Sequence, residues 1–475
     1  MQTITLAMSV DDIIGKVQDA VWGWPLIILI LAAGVWLTVR TGFVQVRHLG
    51  KALKFMVKNE DNGEGEVTSF GALCTALSAT IGTGNIVGVA TAICLGGPGA
   101  LLWMLLAAFF GMATKYSEGF LAIKYREKKD DSHYLGGPFY YIEKGMGSKW
   151  KWLAKLFAVF GICVGLFGIG TFTQINGIAT AVQDFFDPES AHVAFTLLGN
   201  DYTWATVIGG LVVTLCVALV VLGGIQRIAK VSQVIVPFMA ITYVVFALII
   251  VLGHITAIPA AVKLICQSAF DPQAALGAAT GVTIKLAMQK GIGRGIFSNE
   301  AGLGTGSIAH ACADTKKPVK QGMFGIFEVF ADTIVICTLT ALVVLCSGAA
   351  DGNYGNNAAA GVSTTVAGFS SVFGAKAGSV ILAVGLLLFA TSTILGWALY
   401  GTRCAEFLFG SKIIRPYQIV FCLVVIGGAV ADLSLVWTIS DTLNGLMSIP
   451  NLIALLLLSP VVIKVTKEHF AGLRK

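Results

Sequence analysis

Residues 75–93 read TALSATIGTGNIVGVATAI, and residues 289–311 read QKGIGRGIFSNEAGLGTGSIAHA. Each segment is long enough to cross a bilayer, yet each carries glycines and polar residues near its middle, which an ordinary membrane helix avoids. In lipid every backbone N–H and C=O must be satisfied internally, so a helix unwinds at depth only where it lines a polar cavity. Two such breaks at comparable positions in the two parts of a chain are typical of secondary transporters built from repeats.

The composition places the whole chain in a membrane. Of its 475 residues 56% are hydrophobic and 12% are charged, and the mean hydropathy is +0.81. Stretches of the roughly 20 apolar residues that a membrane helix needs predict an all-α protein with eleven transmembrane helices. We expect these helices at about residues 24–42, 68–95, 99–123, 153–183, 203–223, 231–254, 277–312, 322–347, 377–402, 416–431 and 434–463.

The eleven predicted spans divide into one extra helix and two sets of five. Each set then begins with one of the two broken segments, and because five is odd the second set has the opposite orientation, as in an inverted repeat. We expect three units: residues 1–65 with the extra helix and a cytoplasmic connection, residues 66–275 with the first five helices, and residues 276–475 with the second five and a cytoplasmic tail.

Lys and Arg residues are distributed unevenly between the two sides of the membrane. One set of alternate connections holds 25 of these cations, whereas the other holds only Lys16, Lys263 and Lys376. The positive-inside rule therefore predicts a plasma (inner) membrane protein with its amino terminus outside and its carboxyl terminus in the cytoplasm. The acidic start of the chain does not resemble a signal peptide. We read the net charge of +6 as a topology signal and expect no nucleic-acid partner.

The sequence contains no motif that indicates an enzyme. Its ten cysteines occur without a CxxC pair, so they predict neither a disulfide framework nor a metal site. Walker A, HExxH and GxSxG motifs are also absent from the sequence. Support for an ATP-driven pump or a hydrolase is therefore lacking, and we expect a transporter that is not an enzyme.

The first broken segment predicts a site for an amino acid beside a cation. Its glycines let the backbone leave the helix, and the half-helix that follows points free N–H groups and its positive dipole end into the cavity, which suits a carboxylate. Carbonyl groups before the break, with the side chains of Thr80 and Asn85, are hard oxygen ligands for a small cation. The alternative is a helix-packing face, because Gly84 and Gly88 have the GxxxG spacing.

The second broken segment carries the charged residues Arg294 and Glu300, which are costly in a membrane and functional by default. The first alternative is that they form a structural ion pair. The second is that Arg294 neutralises Glu328 or Asp332 on the next helix. A direct role as a ligand remains open for both charged residues.

The backbone of the same segment is the better candidate for binding the substrate. We expect the stretch from Gly291 to Ser298 to unwind, so that its free backbone groups hold the ammonium group of an amino acid. Phe297 then forms a wall of the side-chain pocket.

Other polar residues at membrane depth each have two interpretations. Ser392 and Thr393 lie at mid-depth on the ninth span, but hydroxyl groups in membrane helices usually bond to a carbonyl of their own helix. Trp397 follows on the same span, although tryptophan usually lies at the membrane interface. Gln174 and Asn176, on the fourth span, line a pocket or simply join helices.

Two further polar groups bear on the choice of ion. Asp332, with Thr333, completes a cation site or pairs with Arg294. His310 is either packed and neutral or part of a proton relay.

Longer runs of the chain resemble the alanine or glycine:cation symporter family. These runs are GTGNIVGVATAICLGGPGALLWMLLAAFFGMATKYSEGFLAIKYR, GGPFYYIEKGMG, GIGRGIFSNEAGLGTGSIAHACA, EVFADTIVICTLTAL, TSTILGWALYG and SIPNLIALLLLSP, in that order over about residues 66–465. The resemblance implies a core similar to the leucine-transporter fold, with one extra helix before it. It also implies Na⁺ as the coupling ion and alanine, glycine or a similar small amino acid as the substrate.

The resemblance also implies roles for individual residues. The amides expected on the substrate carboxylate are those of Gly82, Thr83, Gly84 and Asn85. The groups expected at a sodium site are the carbonyls of Ser78 and Ile81 and the hydroxyls of Ser392 and Thr393. Asn85 would face a further sodium site, and the positions that match the pocket are Gln174, Thr393 and Trp397. The residues before Gln174, 171–173 (TFT), depart from the family pattern.

The sequence therefore predicts a sodium-coupled symporter that imports small neutral amino acids by alternating access. Within transporters, the alternative is proton coupling through Glu300, Asp332 or His310. From another class, the alternative is a channel or an amino-acid-binding membrane receptor without coupled flux.

Overall fold

The computed structural model describes residues 10–57, 65–129, 133–187, 189–197, 200–277, 280–355, 360–429 and 433–472. Residues 1–9, which form part of the segment examined for a signal peptide, lie outside these ranges. Helices dominate the described residues, and strands form two antiparallel hairpins: β1 (Glu127–Lys128) with β2 (Tyr134–Leu135), and β3 (Val193–Leu197) with β4 (Asn200–Thr203). The predicted helical membrane class is confirmed, with strands only in connections.

The part of the chain before the second broken segment contains fourteen of the described helices. They are α1 (Val10–Val21), α2 (Trp24–Arg40), α3 (Val44–Arg47), α4 (Leu49–Val57), α5 (Ser69–Thr80), α6 (Val89–Gly96), α7 (Gly99–Tyr125), α8 (Pro138–Tyr140), α9 (Lys151–Phe167), α10 (Phe172–Phe186), α11 (Trp204–Val221), α12 (Gly224–Gly253), α13 (Ile258–Phe270) and α14 (Pro272–Leu276). Turns of π-helix cover Gly84–Gly88 and Tyr141–Gly145, and short 3₁₀ turns cover Ser148–Trp150 and Ile255–Ala257.

The remaining part contains eight described helices. They are α15 (Ile284–Asn299), α16 (Gly306–Ala311), α17 (Pro318–Val329), α18 (Thr338–Cys346), α19 (Ala360–Phe373), α20 (Ala375–Phe409), α21 (Ile414–Gly428) and α22 (Leu433–Gly472). A π-helical stretch, Phe330–Cys337, joins α17 to α18, and a 3₁₀ turn, Ser411–Ile413, precedes α21.

The helices agree with the spans expected from hydropathy. Nine helical stretches of the described chain are long and apolar enough to cross a membrane, and the bent pair α5 and α6 makes a tenth. The remaining predicted span, residues 277–312, is divided between α15 and α16, of 16 and 6 residues. Each predicted span therefore has a helical counterpart in the same order. The two predicted broken segments are discontinuous, and the span 153–183 is also divided, between α9 and α10.

The discontinuous segments lie inside the bundle, whereas regular helices form its surface. Every residue from Gly71 to Cys94 is buried. In contrast, α11 and α12 leave large apolar side chains exposed, such as Leu215 (63%) and Val234 (70%). Apolar exposure of this kind is expected of helices that face lipid, so the polar breaks are shielded from it.

Candidate functional site

The first broken segment unwinds at the predicted place. Helix α5 ends at Thr80, and Ile81 then takes an extended conformation with φ −77° and ψ 94°. The chain resumes as the π-helical turn Gly84–Gly88, which continues into α6. The two helical parts are bent by 50° relative to each other. Backbone carbonyls before the break and amides after it are therefore released from regular helical pairing.

Oxygen atoms from α20 meet the break at Ile81. The hydroxyls of Ser392 and Thr393 lie 3.5 and 3.3 Å from the carbonyl oxygen of Ile81. Both hydroxyls also lie close to the carbonyl oxygen of Phe389 in their own helix, at 2.8 and 3.1 Å. Two hydroxyls and one carbonyl thus form a compact group of hard oxygen atoms, the ligand type that alkali and alkaline-earth cations prefer.

Two of the predicted cation ligands are placed less directly. Thr80 directs its hydroxyl to the Ala76 and Leu77 carbonyls of its own helix, so the structure does not bring this side chain to the oxygen group. Ser78 lies one turn before the break, and its hydroxyl donates to the Thr75 carbonyl at 2.7 Å. Its predicted contribution is a backbone carbonyl, which this hydrogen bond leaves free.

Asn85 connects the first break to the buried residue Asp332. Its Oδ1 accepts a hydrogen bond from the Gly82 amide at 2.8 Å, and its Nδ2 donates to Asp332 Oδ1 at 2.7 Å. Asp332 lies in the π-helical stretch between α17 and α18. One side chain therefore links the unwound backbone to a carboxylate on a neighbouring helix.

Asp332 is a buried carboxylate that only neutral groups contact. It is 0% exposed, and besides Asn85 it accepts hydrogen bonds from Ser298 Oγ at 2.9 Å and Thr333 Oγ1 at 2.6 Å. Among the described residues no Lys, Arg or His forms an ion pair with it. Because a buried charge without a partner is costly, this carboxylate is suited to hold a cation.

The alternative in which Arg294 neutralises Glu328 or Asp332 is wrong. Arg294 Nη1 lies 3.0 Å from Asp441 Oδ1 on α22, so it neutralises neither Glu328 nor Asp332. Glu328 pairs instead with Lys115 of α7, whose Nζ lies 3.0 Å from Glu328 Oε1. The partners were missed because both come from helices that are distant in sequence.

The second break lies further along the chain than predicted. Helix α15 continues through Asn299, so the expected unwinding from Gly291 to Ser298 is wrong. Glu300 takes a left-handed conformation with φ 55°, and Gly302 and Gly304 have φ of 96° and 84°. The chain therefore leaves the helix after Asn299 and resumes at Gly306.

The glycines within α15 serve close helix packing. A Cβ placed at Gly291 would lie 2.1 Å from the Ala100 carbonyl oxygen, and one at Gly295 would lie 3.1 Å from Met104 Cγ. Both contacts are with α7. Gly291 is therefore a packing residue in a regular helix, and the structure does not bring it to the first break.

Several predicted pocket residues do surround the first break. The Thr83 amide donates to Gln174 Oε1 at 3.2 Å. A Cβ placed at Gly82 would lie 2.3 Å from Thr393 Oγ1, and one at Gly84 would lie 3.1 Å from Phe297 Cδ1. Helices α10, α15 and α20 thus each contribute a side chain to one small region that is buried from solvent.

Trp397 lies one turn beyond Thr393 on α20. It is fully buried, and its ring makes an edge contact with Tyr400 at a centroid distance of 5.4 Å. Its Cβ packs beneath Gly170, in the connection that leads to Gln174. The expectation that tryptophan lies at the membrane interface does not apply to this residue.

A second polar cluster, which sequence analysis did not identify, lies between the segment before α5 and the last turns of α20. Arg403 Nη2 lies 2.8 and 2.9 Å from the two carboxylate oxygens of Glu66, and Arg403 Nη1 lies 3.1 Å from Glu406 Oε2. His133 Nε2 lies 2.9 Å from Glu406 Oε1. We call Glu66, His133, Arg403 and Glu406 the mouth cluster. Cavities of about 170 and 380 Å³ adjoin Glu66.

The mouth cluster combines two carboxylates, one guanidinium and one imidazole. The hydrogen bond between His133 and Glu406 raises the pKa of the His133 imidazole most, and the one to Glu66 comes next. Together they bring this pKa to about 9. A protonated His133 and Arg403 together balance the charges of Glu66 and Glu406. The cluster is therefore neutral overall at pH 7 and links the start of α5 to the end of α20.

Comparison with known proteins agrees with this geometry. Residues 7–475 match the sodium:alanine symporter family. An uncharacterized transporter of Haemophilus influenzae is 48% identical over 98% of both chains, and the sodium/alanine symporter AgcS of Methanococcus maripaludis is 45% identical over 98% of this chain and 99% of its own. The crystal structure of MhsT in complex with L-phenylalanine aligns over 85% of this chain and 99% of its own, with a TM-score of 0.54 and 13% identity. The fold is thus that of the leucine-transporter class, and the chain belongs to the sodium:alanine symporter family.

Proposed function

We propose that this sodium-coupled amino-acid symporter carries alanine and glycine, and that both the amino acid and Na⁺ bind at the first break. The supporting observation is that the Ile81 carbonyl and the Thr83 amide lie on the two sides of one three-residue interruption. A carboxylate suits the amide side and a cation suits the carbonyl side. The 45% identical relative is named a sodium/alanine symporter, which supports the choice of substrate.

We propose two positions for Na⁺. The first is formed by the carbonyls of Ser78 and Ile81 with the hydroxyls of Ser392 and Thr393. The second lies between Asn85 and Asp332, where the carboxylate would supply the negative charge. Asn85 also accepts a hydrogen bond from the Gly82 amide. An ion at the second position would therefore stabilise the conformation of the backbone that binds the amino acid.

Small substrates fit the crowding around Gly82. Gln174 and Thr393 would lie within contact distance of any side chain at Gly82, and Phe297 closes over Gly84. The substrate pocket proposed here is formed by Gly82, Thr83, Gly84, Asn85, Gln174, Phe297, Thr393 and Trp397. A pocket bounded this closely favours an amino acid with a side chain of one carbon or none.

Coupling to Na⁺ supplies the energy for accumulation. A zwitterionic amino acid has no net charge, so the membrane potential alone does not concentrate it. One cation moving through ~100 mV contributes about 2.3 kcal/mol, and a tenfold sodium gradient adds about 1.4 kcal/mol. Together these terms support an accumulation of roughly several hundredfold.

The test is uptake of labelled alanine and glycine by proteoliposomes. An inward sodium gradient should drive accumulation above the external concentration, and choline in place of sodium should abolish it. Equilibration without accumulation would indicate a channel, and binding without flux a receptor. Accumulation driven by a pH gradient in sodium-free buffer would contradict sodium coupling at the first break.

We propose that the mouth cluster is the cytoplasmic gate, with the amino terminus outside and the carboxyl terminus inside. The positive-inside distribution of Lys and Arg supports this orientation. Opening toward the cytoplasm requires α5 to separate from α20, and the Glu66–Arg403 pair joins them. The 66–275 and 276–475 units would then be the two inverted repeats, each beginning with its discontinuous segment.

The gate is expected to weaken at alkaline pH. The folded pKa of His133, about 9, exceeds the ordinary value of about 6.5. The stabilisation that protonated His133 gives to the mouth cluster is therefore fully present below about pH 6.5, and it is lost as the pH rises through about 9. A cysteine placed at Thr402, which lines the cavity beside the cluster, should react faster with a thiol reagent above that pH. Because a free thiol itself ionises near pH ~8.5, the rate also rises with pH in a His133→Gln background. The cysteine in the protein that keeps His133 should show a steeper rise than this reference, and equal pH profiles would contradict the role of His133.

Trp397→Ala is expected to widen the substrate range. Each methylene that a pocket rejects is worth about 1–3 kcal/mol, so uptake of leucine relative to alanine should rise at least about tenfold. Trp397→Phe, which keeps an aromatic ring, should change the ratio less. Competition assays with unlabelled amino acids measure the change, and an unaltered profile in Trp397→Ala would remove Trp397 from the pocket.

A further inference from the structure

A second group of buried charges surrounds the break at Glu300–Thr305. Lys115 and Glu118 lie on α7, Glu328 lies on α17, and Glu300 begins the break itself. All four side chains are 0% exposed. The group thus contains three carboxyls and one amine that are buried from bulk solvent, and no step of sodium or amino-acid binding proposed above uses it.

One carboxyl of this group has a clear counter-ion. Lys115 Nζ pairs with Glu328 Oε1 at 3.0 Å and also donates to the Asn299 carbonyl at 3.0 Å. His310 Nδ1 lies 2.6 Å from Gln321 Nε2, which donates to it, so His310 Nε2–H donates to Glu328 Oε2 at 3.1 Å. Glu328 therefore has partners at both carboxylate oxygens, Lys115 at Oε1 and His310 at Oε2.

Among the described residues no Lys, Arg or His forms a close ion pair with the other two carboxyls, for which Lys115 is the neighbouring cation. Glu118 Oε1 accepts from the Gly302 amide at 2.9 Å and from Asn451 Nδ2 at 2.8 Å, and Glu300 Oε2 accepts from Thr305 Oγ1 at 2.6 Å. Within the described chain, Glu118 Oε2 and Glu300 Oε1 have no hydrogen-bond partner. In the part of the chain that the structure describes, each carboxyl therefore keeps one buried oxygen atom outside this set of short hydrogen bonds.

Tyr400 directs a third unsatisfied group to the same place. Its ring is fully buried on α20 and lies close enough to interact electrostatically with Glu300, Glu328 and Glu118. Its hydroxyl has no hydrogen-bond partner among the described residues. The Trp397 indole N–H, on the same helix, also faces Glu300. Both groups come from α20, and both face the buried carboxyls.

The remaining titratable neighbours do not supply a positive charge. Tyr141 faces Glu118 while its hydroxyl bonds to Asn451 Oδ1, and Asp332 faces Glu328. Two buried carboxylates that share a single, already paired lysine carry an uncompensated charge. In proteins such a group usually neutralises by binding a proton.

We propose that Glu118 and Glu300 form a proton-binding site at the second break, separate from the sodium positions at the first break. The proton comes from water and forms an O–H bond on Glu300 Oε1 or Glu118 Oε2, which lowers the negative charge of the group by one. Glu118 holds the Gly302 amide of the break. The charge of the site therefore governs how strongly α7 binds the connection between α15 and α16.

The proton site has a consequence for transport that rests on the proposed function. In alternating access the discontinuous helices move relative to the scaffold. Glu300 lies at the connection between α15 and α16, whereas Glu118 lies on α7, so a movement of the connection against α7 changes the surroundings of both carboxyls. A change in these surroundings changes the affinity of the site for a proton, so the transport rate depends on pH through these two carboxyls.

The first experiment detects the proton without relying on transport. Infrared spectra of the purified protein, recorded between about pH 5 and pH 9, should contain the C=O band of a protonated carboxyl that titrates as a single proton. Glu300→Gln and Glu118→Gln should each remove this titration. Glu143→Gln, at a partly exposed carboxyl paired with Lys151 at 2.7 Å, is the matched control and should leave it unchanged.

Three infrared results would overturn the proposal. The first is a wild-type spectrum without such a titration, and the second is an unchanged titration in both glutamine variants. The third is loss of the band on addition of Na⁺ at constant pH, which would assign the pair to the metal ion. If one glutamine variant does not fold, Tyr400→Phe provides a milder change, which should shift the titration midpoint without removing the band.

The second experiment measures sodium-driven alanine uptake at different pH values inside the proteoliposomes. The wild-type rate should follow the same single-proton titration, and the Glu300→Gln rate should lose this pH dependence, with Glu143→Gln again matching the wild type. A variant that loses activity only through a structural defect would have a lower uptake rate at every pH, and the shape of its pH profile would match that of the wild type. Absence of uptake with an intact infrared titration would refute the proposed function and leave the proton site standing.

Discussion

Replacing Gly82 with alanine is expected to reduce sodium-driven alanine uptake by up to about a hundredfold. The added Cβ would lie 2.3 Å from Thr393 Oγ1 and 3.1 Å from Gln174 Oε1, so it would displace one group proposed for the ion and one proposed for the substrate. Overpacking of this kind costs about 1–3 kcal/mol, and every 1.4 kcal/mol is a factor of ten. Initial uptake rates in proteoliposomes measure the effect.

The chain offers a matched control for this substitution. Gly385 lies on α20, the helix that carries Thr393, and a Cβ placed there meets no atom within 4 Å. Gly385→Ala should therefore transport at the wild-type rate, because alanine is also the better helix former. Equal uptake by Gly82→Ala and Gly385→Ala would remove the first break from the transport site.

Asp332→Asn is expected to raise the half-saturating sodium concentration by roughly 10- to 100-fold. The substitution preserves the shape of the side chain and removes its charge, which is the feature that suits a cation. A hydrogen bond or contact to a charged group is worth about 1.5–3 kcal/mol, which corresponds to this range of affinity. Alanine uptake measured against external sodium gives the half-saturating value directly.

The control for Asp332 is an exposed carboxylate of the same type. Asp351 lies in a turn after α18, where Tyr354 Oη donates to it at 3.2 Å. Asp351→Asn should keep the wild-type sodium dependence. An Asp332→Asn protein with unaltered sodium dependence would show that the cation does not use this carboxylate.

The first break was predictable from the sequence because two kinds of evidence coincide there. Gly82 and Gly84 remove the steric preference for helix, and Thr83 and Asn85 bring hydrogen-bonding groups that lipid would not tolerate. The second break was placed too early because glycine serves two purposes in that segment. Gly291 permits close contact with α7, whereas Gly302 adopts a positive φ, and the residue type alone does not distinguish these uses.

The charged residues within the predicted spans indicated functional importance, but the sequence did not show which residues they pair with. Lys115 and Glu118 stand in an apolar segment, where ionisable residues are expensive, and this signal could have identified the buried cluster. Their partners depend on how distant helices pack, as the Arg294–Asp441 pair also illustrates. The mouth cluster was hidden for the same reason, since Glu66 and Arg403 meet only after α5 and α20 come together.

Shared use of one unwound segment explains why ion and substrate would be coupled. Ordering the backbone around Gly82 has an entropic cost. The ligand that binds first orders this backbone, so the second ligand binds without that cost. Thermodynamic linkage then requires that each ligand raise the affinity of the other by the same factor. Separate, rigid sites would not produce this dependence.

The most direct test of the central claim is the binding of labelled alanine to the purified protein in sodium and in choline buffers. A common site at the first break predicts that sodium increases the affinity for alanine, and that alanine increases the affinity for sodium by the same factor. An affinity for alanine that is equal in the two buffers would contradict the account.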